Sequence, residues 1–114
     1  MKKLNIPDEL KGKSLLAIYS NDNEIVKINY ENGYEVSIVK ELYLDNKQEQ
    51  LYEVAILKDG EFVFSELTYT CGILSYINEQ DVIKVLEKVK NGKIDEYADI
   101  ECKLLELDYS EKNI

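Results

Sequence analysis

Four acidic residues near the C-terminus are the side chains of this sequence that most suggest a function. They form two i, i+2 pairs, Asp99 with Glu101 and Glu106 with Asp108. In a strand, the carboxylates of each pair lie on one side, about 6.5–7 Å apart. Such an acidic stripe can imitate the phosphates of a nucleic acid and bind the basic groove of another protein. The alternative is a solvated face that protects a sheet edge from pairing and keeps the protein in solution.

The element that carries these acids has two possible interpretations. As a strand, residues 97–109 alternate from Ile100 to Leu104 and then need a bulge to keep apolar side chains on one side. As a helix, the segment has apolar residues at helical spacing, but Glu101 and Asp108 fall within the apolar arc. The strand fits the pattern better, and the helix stays open.

Tyrosine is the second surplus, with nine residues in the chain. Most lie in or beside predicted strands, where the ring packs and the hydroxyl reaches water. Tyr69 and Tyr76 instead flank Gly72 in an irregular segment. Because tyrosine is enriched at protein interfaces and loops often carry function, these two residues are candidate partner contacts.

The residues that are missing exclude several classes of function. The chain has no histidine, which removes the commonest general base and metal ligand. It has no arginine and a net charge of -9, which disfavours direct binding of nucleic acid. No phosphate-binding glycine motif and no metal-binding spacing is present, so we expect no cofactor and no metal. A small enzyme that uses carboxylates or lysine remains the contrasting alternative to a non-enzymatic protein.

Length and hydropathy predict one domain, residues 1–114, in the cytoplasm. A chain of 114 residues can bury one core without disulfides or metals. No apolar run reaches the roughly 18–20 residues of a spanning helix, and no signal peptide is recognisable. The two cysteines lack CxxC spacing, in keeping with an intracellular protein.

The elements that must position these residues are mostly strands. The clearest signal is Asp59-Gly60, a pair favoured in type I′ turns, between arms at 51–58 and 61–67. Each arm has an apolar face, supplied by Val54, Ile56, Phe62 and Phe64.

Earlier in the chain, residues 14–20 predict a short strand that is apolar on both sides. Residues 25–30 alternate, and Asn32-Gly33 predicts a tight hairpin turn. The return strand begins at Tyr34 and runs to about Leu44, with a bulge or a strand end near Lys40.

One helix is predicted over residues 79–91. Asn78 is a favourable N-cap, and Asn91-Gly92 is a typical end. A single apolar stripe at i, i+3, i+4 and i+7 predicts that one side of the helix packs on a core. The stripe consists of Val82, Val85, Leu86 and Val89. The predicted fold is therefore α+β, a mostly antiparallel sheet of five or six strands with this helix packed on one face.

Residues 51–93 resemble small uncharacterised proteins of Gram-positive phages and mobile elements. The resemblance rests on LYEVAILKDGEFVFSEL followed by GILSYINEQDVIKVLEKVKNGK, a strand, turn, strand and short helix. It implies a mobile-element accessory protein, some of which inhibit host defence, and it implies no catalytic residue. We therefore predict an acidic protein-binding inhibitor of a host protein. The alternative is an immunity protein or antitoxin that neutralises a basic toxin.

Overall fold

The two segments that flank Asp59-Gly60 pair with each other and belong to an antiparallel sheet of six strands in the described part of the chain. We describe the chain from a computed structural model, for residues 3–20, 23–41, 50–65 and 72–94. The strands are β1 (Ser14–Ser20), β2 (Asn23–Asn29), β3 (Tyr34–Lys40), β4 (Tyr52–Lys58), β5 (Glu61–Phe62) and β6 (Ile73–Ile77). The helix is α1 (Glu79–Lys90), and a 3₁₀ turn covers Asp8–Leu10. Strands β1 to β4 pair in chain order, and β5 and β6 both pair with β4. The predicted α+β fold is confirmed.

The core lies between one face of the sheet and a layer made of α1 and the N-terminal segment. Alternate residues of β2, β3 and β4 face this layer and are buried, as expected for an antiparallel sheet with one covered side. The buried sheet residues are Val26, Ile28, Val36, Ile38, Val54 and Ile56. The covering layer contributes Leu4, Ile6 and Leu10 with the predicted helix stripe, Val82, Val85, Leu86 and Val89.

The helix begins and ends where the sequence predicts, within one residue. The Asn78 side chain accepts a hydrogen bond from the Asp81 N–H at 2.9 Å, which satisfies one free donor of the first turn. After Lys90, the chain turns through Gly92, whose φ of 68° is easily reached by glycine.

The two predicted hairpin turns differ in length. Asp59 and Gly60 both have positive φ, 53° and 80°, which confirms the type I′ turn. The turn before Tyr34 has three residues, Glu31, Asn32 and Gly33, as predicted, and only Gly33 has positive φ there. Asn32 uses its side chain, which accepts from the Tyr34 N–H and donates to the carbonyls of Val89 and Lys90. It thereby joins this turn to the end of α1.

Three details of the strands differ from expectation. The second arm of the β4–β5 hairpin is short, and Phe62 and Phe64 are exposed whereas Val63 is buried. A two-residue turn places Phe62 opposite Leu57, on the side away from α1, so the predicted apolar face of this arm is wrong. Strand β3 ends at Lys40, which is one of the two outcomes predicted there, and the expected extension to about Leu44 lies outside the described residues. Lys40 was expected to break the inward series, but it continues the series and is buried.

Candidate binding surface

Most of the side chains that the sequence nominates lie outside the described residues. This applies to the four acids of the stripe, Asp99, Glu101, Glu106 and Asp108, and to Tyr69. Both interpretations of residues 97–109 therefore stay predictions. Tyr76 is the nominated residue that the structure places.

Tyr76 projects from a bulge in β6. Its side chain is 61% exposed and its φ is 58°, a conformation that is unusual for a bulky residue. The β4–β6 register shifts between Tyr52 and Val54, so Ser75 and Tyr76 together lie opposite Glu53. Bulges of this kind redirect side chains and are enriched beside functional sites. The geometry leaves the Tyr76 ring available for a contact.

Charge is distributed unevenly between the described residues and the remainder. The described ranges hold twelve acids and ten lysines, a net charge of -2. The other seven negative charges of the chain belong to residues outside those ranges. The described part of the fold is thus nearly neutral, and its distinctive surface is apolar.

That apolar surface is the side of the sheet opposite α1, which we call the open face. The strand register places eight apolar side chains on it. They are Leu16, Ile18, Ile25, Val39, Ala55, Leu57, Phe62 and Ile73. Leu16, Ile18 and Phe62 are 57%, 47% and 50% exposed, and the others are half-buried. A solvent-facing side of an antiparallel sheet is ordinarily polar, so this composition is unusual.

The open face has a shallow hollow of about 220 Å³ at the β5 end. Ala55, Leu57, Phe62 and Ile73 form its apolar lining, and its polar lining consists of Lys27, Glu35, Ser37 and Glu53. Gly72 lets the chain before β6 lie close to Phe62, since a Cβ at position 72 would be 3.1 Å from the Phe62 Cβ. The hollow therefore combines an apolar surface with charges of both signs.

A buried polar cluster on the opposite side of the sheet serves the fold. Glu24 is 4% exposed and accepts a hydrogen bond from the Leu4 N–H at 2.9 Å, which fastens the N-terminal segment to β2. Tyr52 is 2% exposed, and its burial, together with the nearby charge of Glu24, raises the pKa of its phenol well above the usual range. Lys40, paired opposite Tyr52, is also buried. These groups are buried and lie on neighbouring strands on the covered side of the sheet.

A second hollow, of about 340 Å³, lies between the N-terminal segment and the end of α1. Its walls carry both acids and lysines, among them Asp8, Glu31 and Lys90. Lys11 pairs with Asp8 at 2.8 Å and lowers the pKa of that carboxyl through a hydrogen bond and its charge. Within the described ranges, no three acids or cysteines are grouped so as to hold a metal ion. This hollow shows no concentration of one charge.

Comparisons of the chain with protein-family models, with curated proteins and with solved structures find no significant match. None of the helices in the described ranges is long and apolar enough to cross a membrane. The open face was missed at the level of sequence, although its signal was present. Strand residues 14–20 are apolar on both sides, and a two-residue turn at Asp59-Gly60 already requires Phe62 to lie opposite Leu57.

Proposed function

We propose that this is a non-enzymatic, cytoplasmic protein-binding protein, which contacts its partner through the open face. The observation that carries the proposal is the set of eight apolar side chains on that face, with no described element covering them. Apolar patches of this kind on a folded domain are typical of interaction sites. The exposed Tyr76 on the β6 bulge supplies an aromatic contact beside it.

The chemistry of the open face favours a protein over a small molecule as partner. Its hollow of about 220 Å³ lies below the roughly 300–1,000 Å³ of ordinary ligand pockets. Apolar side chains beside Lys27, Glu35 and Glu53 match the composition of interfaces, where apolar contacts are bordered by charges that fix orientation. A protein surface with a few apolar residues and charges of both signs would complement this face.

The resemblance of residues 51–93 favours one form of this proposal, an accessory inhibitor from a phage or mobile element that binds a host protein. An immunity protein or antitoxin that neutralises a basic toxin is the alternative. It is favoured by the sequence of residues 95–114, which contains seven acids and two lysines. That alternative uses the acidic stripe in place of the open face.

The test compares three forms of the full chain as immobilised bait in a lysate of a Gram-positive bacterium. Phe62→Lys places a charge on the open face, and Gln80→Lys places the same charge on an exposed position of α1. We expect a protein that is retained by the wild type and by Gln80→Lys but lost from Phe62→Lys. Equal retention by all three forms would contradict a role for the open face.

A fourth bait separates the alternative. Reversing the charge of Glu101, Glu106 and Asp108 removes the acidic stripe and leaves the open face unchanged. A partner that is lost from this variant and released by salt would favour the immunity protein or antitoxin, because screening weakens contacts between exposed charges. A partner retained by this variant, and stable in high salt, would favour the open face.

A further inference from the structure

In the described part of the sheet, β1 is an edge strand, and the strand itself has none of the sequence features that normally protect an edge. It is seven residues long, SLLAIYS, and has no charge and no proline in a chain with 32% charged residues. Natural proteins protect such edges with short strands, lysines, prolines or bulges. Among the described residues, β1 pairs only with β2. Its four large apolar side chains are Leu15, Leu16, Ile18 and Tyr19, all exposed.

The phase of the hydrogen bonds shows which main-chain groups point away from the sheet. The Tyr30 N–H donates to the Tyr34 carbonyl, so even-numbered residues of β2 bond to β3. Odd-numbered residues of β2 therefore bond to β1, where their partners are even-numbered. It follows that Leu15, Ala17 and Tyr19 direct their N–H and C=O groups outward.

These outward N–H and C=O groups can pair with the same groups on β1 of a second copy. In an antiparallel pair of two β1 strands centred on Ala17, each outward residue lies opposite another: Ala17 opposite Ala17, and Leu15 opposite Tyr19. All three then exchange N–H and C=O bonds across a two-fold axis. On the open-face side, Leu16 lies opposite Ile18, so that apolar side chains meet on both sides of the ladder.

We propose that β1 pairs with β1 of a second copy of this chain, joining two sheets into one continuous sheet with both open faces on the same side. The partner strand is β1 of a second copy because the outward N–H and C=O groups and the apolar side chains of β1 both match those of an identical antiparallel strand. Strand β1 itself carries no charged residue, and Lys3, whose ammonium lies 4.1 Å from the centre of the Tyr19 ring, adds a positive charge beside it. Two chains of net charge -9 can approach each other most easily at a strand that carries no acid.

The opposite edge, as formed by the described strands β5 and β6, does not offer the same match. Strand β5 has only two residues, and β6 is interrupted by the bulge at Tyr76. A bulge twists an edge and breaks the regular row of donors and acceptors. The dimer therefore closes through β1 alone, as a two-fold interface and not a filament. Because a single strand pair is a small interface, we expect reversible association that depends on concentration.

The test is sedimentation velocity of the full chain at concentrations up to about 1 mM, where even a Kd in the millimolar range is detectable. Two double variants change the same two exposed positions. Leu16→Lys with Ile18→Lys places like charges opposite each other across the proposed axis. Leu16→Lys with Ile18→Glu places opposite charges there, with the same loss of apolar surface. Circular dichroism and thermal melting check that both variants fold.

We expect the wild type to form a species of twice the chain mass, more so in high salt, which screens the repulsion between copies. The dimer dissociation constant of the lysine–lysine variant should be more than about tenfold higher than that of the lysine–glutamate variant. A wild type that stays monomeric at every concentration, as it would if another segment or another protein occupies β1, would overturn the proposal. Equal association of the two variants would also overturn it. Because the bait variants at Phe62 and Gln80 lie away from β1, this result does not depend on the partner test.

Discussion

The two faces of this sheet are made of the same strands and similar residues, yet the described elements cover only one of them. On the side of α1, buried valines and isoleucines of β2, β3 and β4 contact the helix and the N-terminal segment. On the open face, the same strands carry Ile25, Val39, Ala55 and Leu57, which no described element covers. Apolar composition alone therefore does not define the core of this protein. The core forms on the face of the sheet against which the apolar stripe of α1 packs.

The largest expected difference between the faces is in the free energy of unfolding. Ile28→Ala removes a fully buried side chain and should cost about 2–5 kcal/mol. Ile25→Ala makes the same change on the same strand toward the open face, where the side chain is half-buried, and should cost about 1 kcal/mol or less. Urea titration of both variants measures the contrast. Similar losses would mean that the open face is also a packed core face.

The next difference is in how the free energy of unfolding depends on pH, and it involves Tyr30 on the covered side. Tyr30 donates a hydrogen bond to the Leu10 carbonyl at 2.6 Å, and burial raises the pKa of its phenol from 10.0 to about 12. Because the folded state holds this proton more tightly, the stabilisation is complete below pH 10 and is lost as pH rises from 10 toward 12. The loss should be at most about 2–3 kcal/mol.

Comparison with Tyr30→Phe isolates this effect, since the lysines titrate over the same range in both proteins. Urea titrations at intervals from pH 8 to pH 12 should show the two stabilities converging as pH rises. A constant difference across the range would contradict the proposed link to ionisation of Tyr30.

The smallest difference concerns the attachment of the covering layer to the sheet. Asn32→Asp removes the amide that donates to the carbonyls of Val89 and Lys90 and places a negative charge at the negative end of α1. We expect a loss of about 1 kcal/mol, part of which returns in high salt. Asn32→Ala, measured in the same way, removes the amide without adding charge. It should show no recovery with salt.

Local patterns predicted much of the fold. The stripe from Val82 to Val89, the cap at Asn78 and the type I′ turn at Asp59-Gly60 depend on residues within one turn or one hairpin, and all three are confirmed. The errors arose where a longer contact decides the outcome. Lys40 seemed to break an apolar series, but its position opposite Tyr52 continues that series into the buried side.

The candidate surface was harder to predict, because a face is open or covered only in relation to the other elements. Residues 14–20 read as a strand with two apolar sides, and nothing within them shows that they form an edge. The phase of Phe62 could have been found, since the turn length fixes its position opposite Leu57. The acidic stripe near Glu101 and Glu106 stays a prediction from sequence.

The bond between Asn32 and the end of α1 also gives this protein an internal reporter of its folding order. It joins residues 57 positions apart, whereas the β2–β3 turn that contains Asn32 is entirely local. An isolated hairpin closes in roughly 1–10 μs, but the carbonyls of Val89 and Lys90 become acceptors for Asn32 only once the helix has docked. The NMR resonances of the Asn32 side-chain amide protons should therefore report when the helix docks on a hairpin that has already formed.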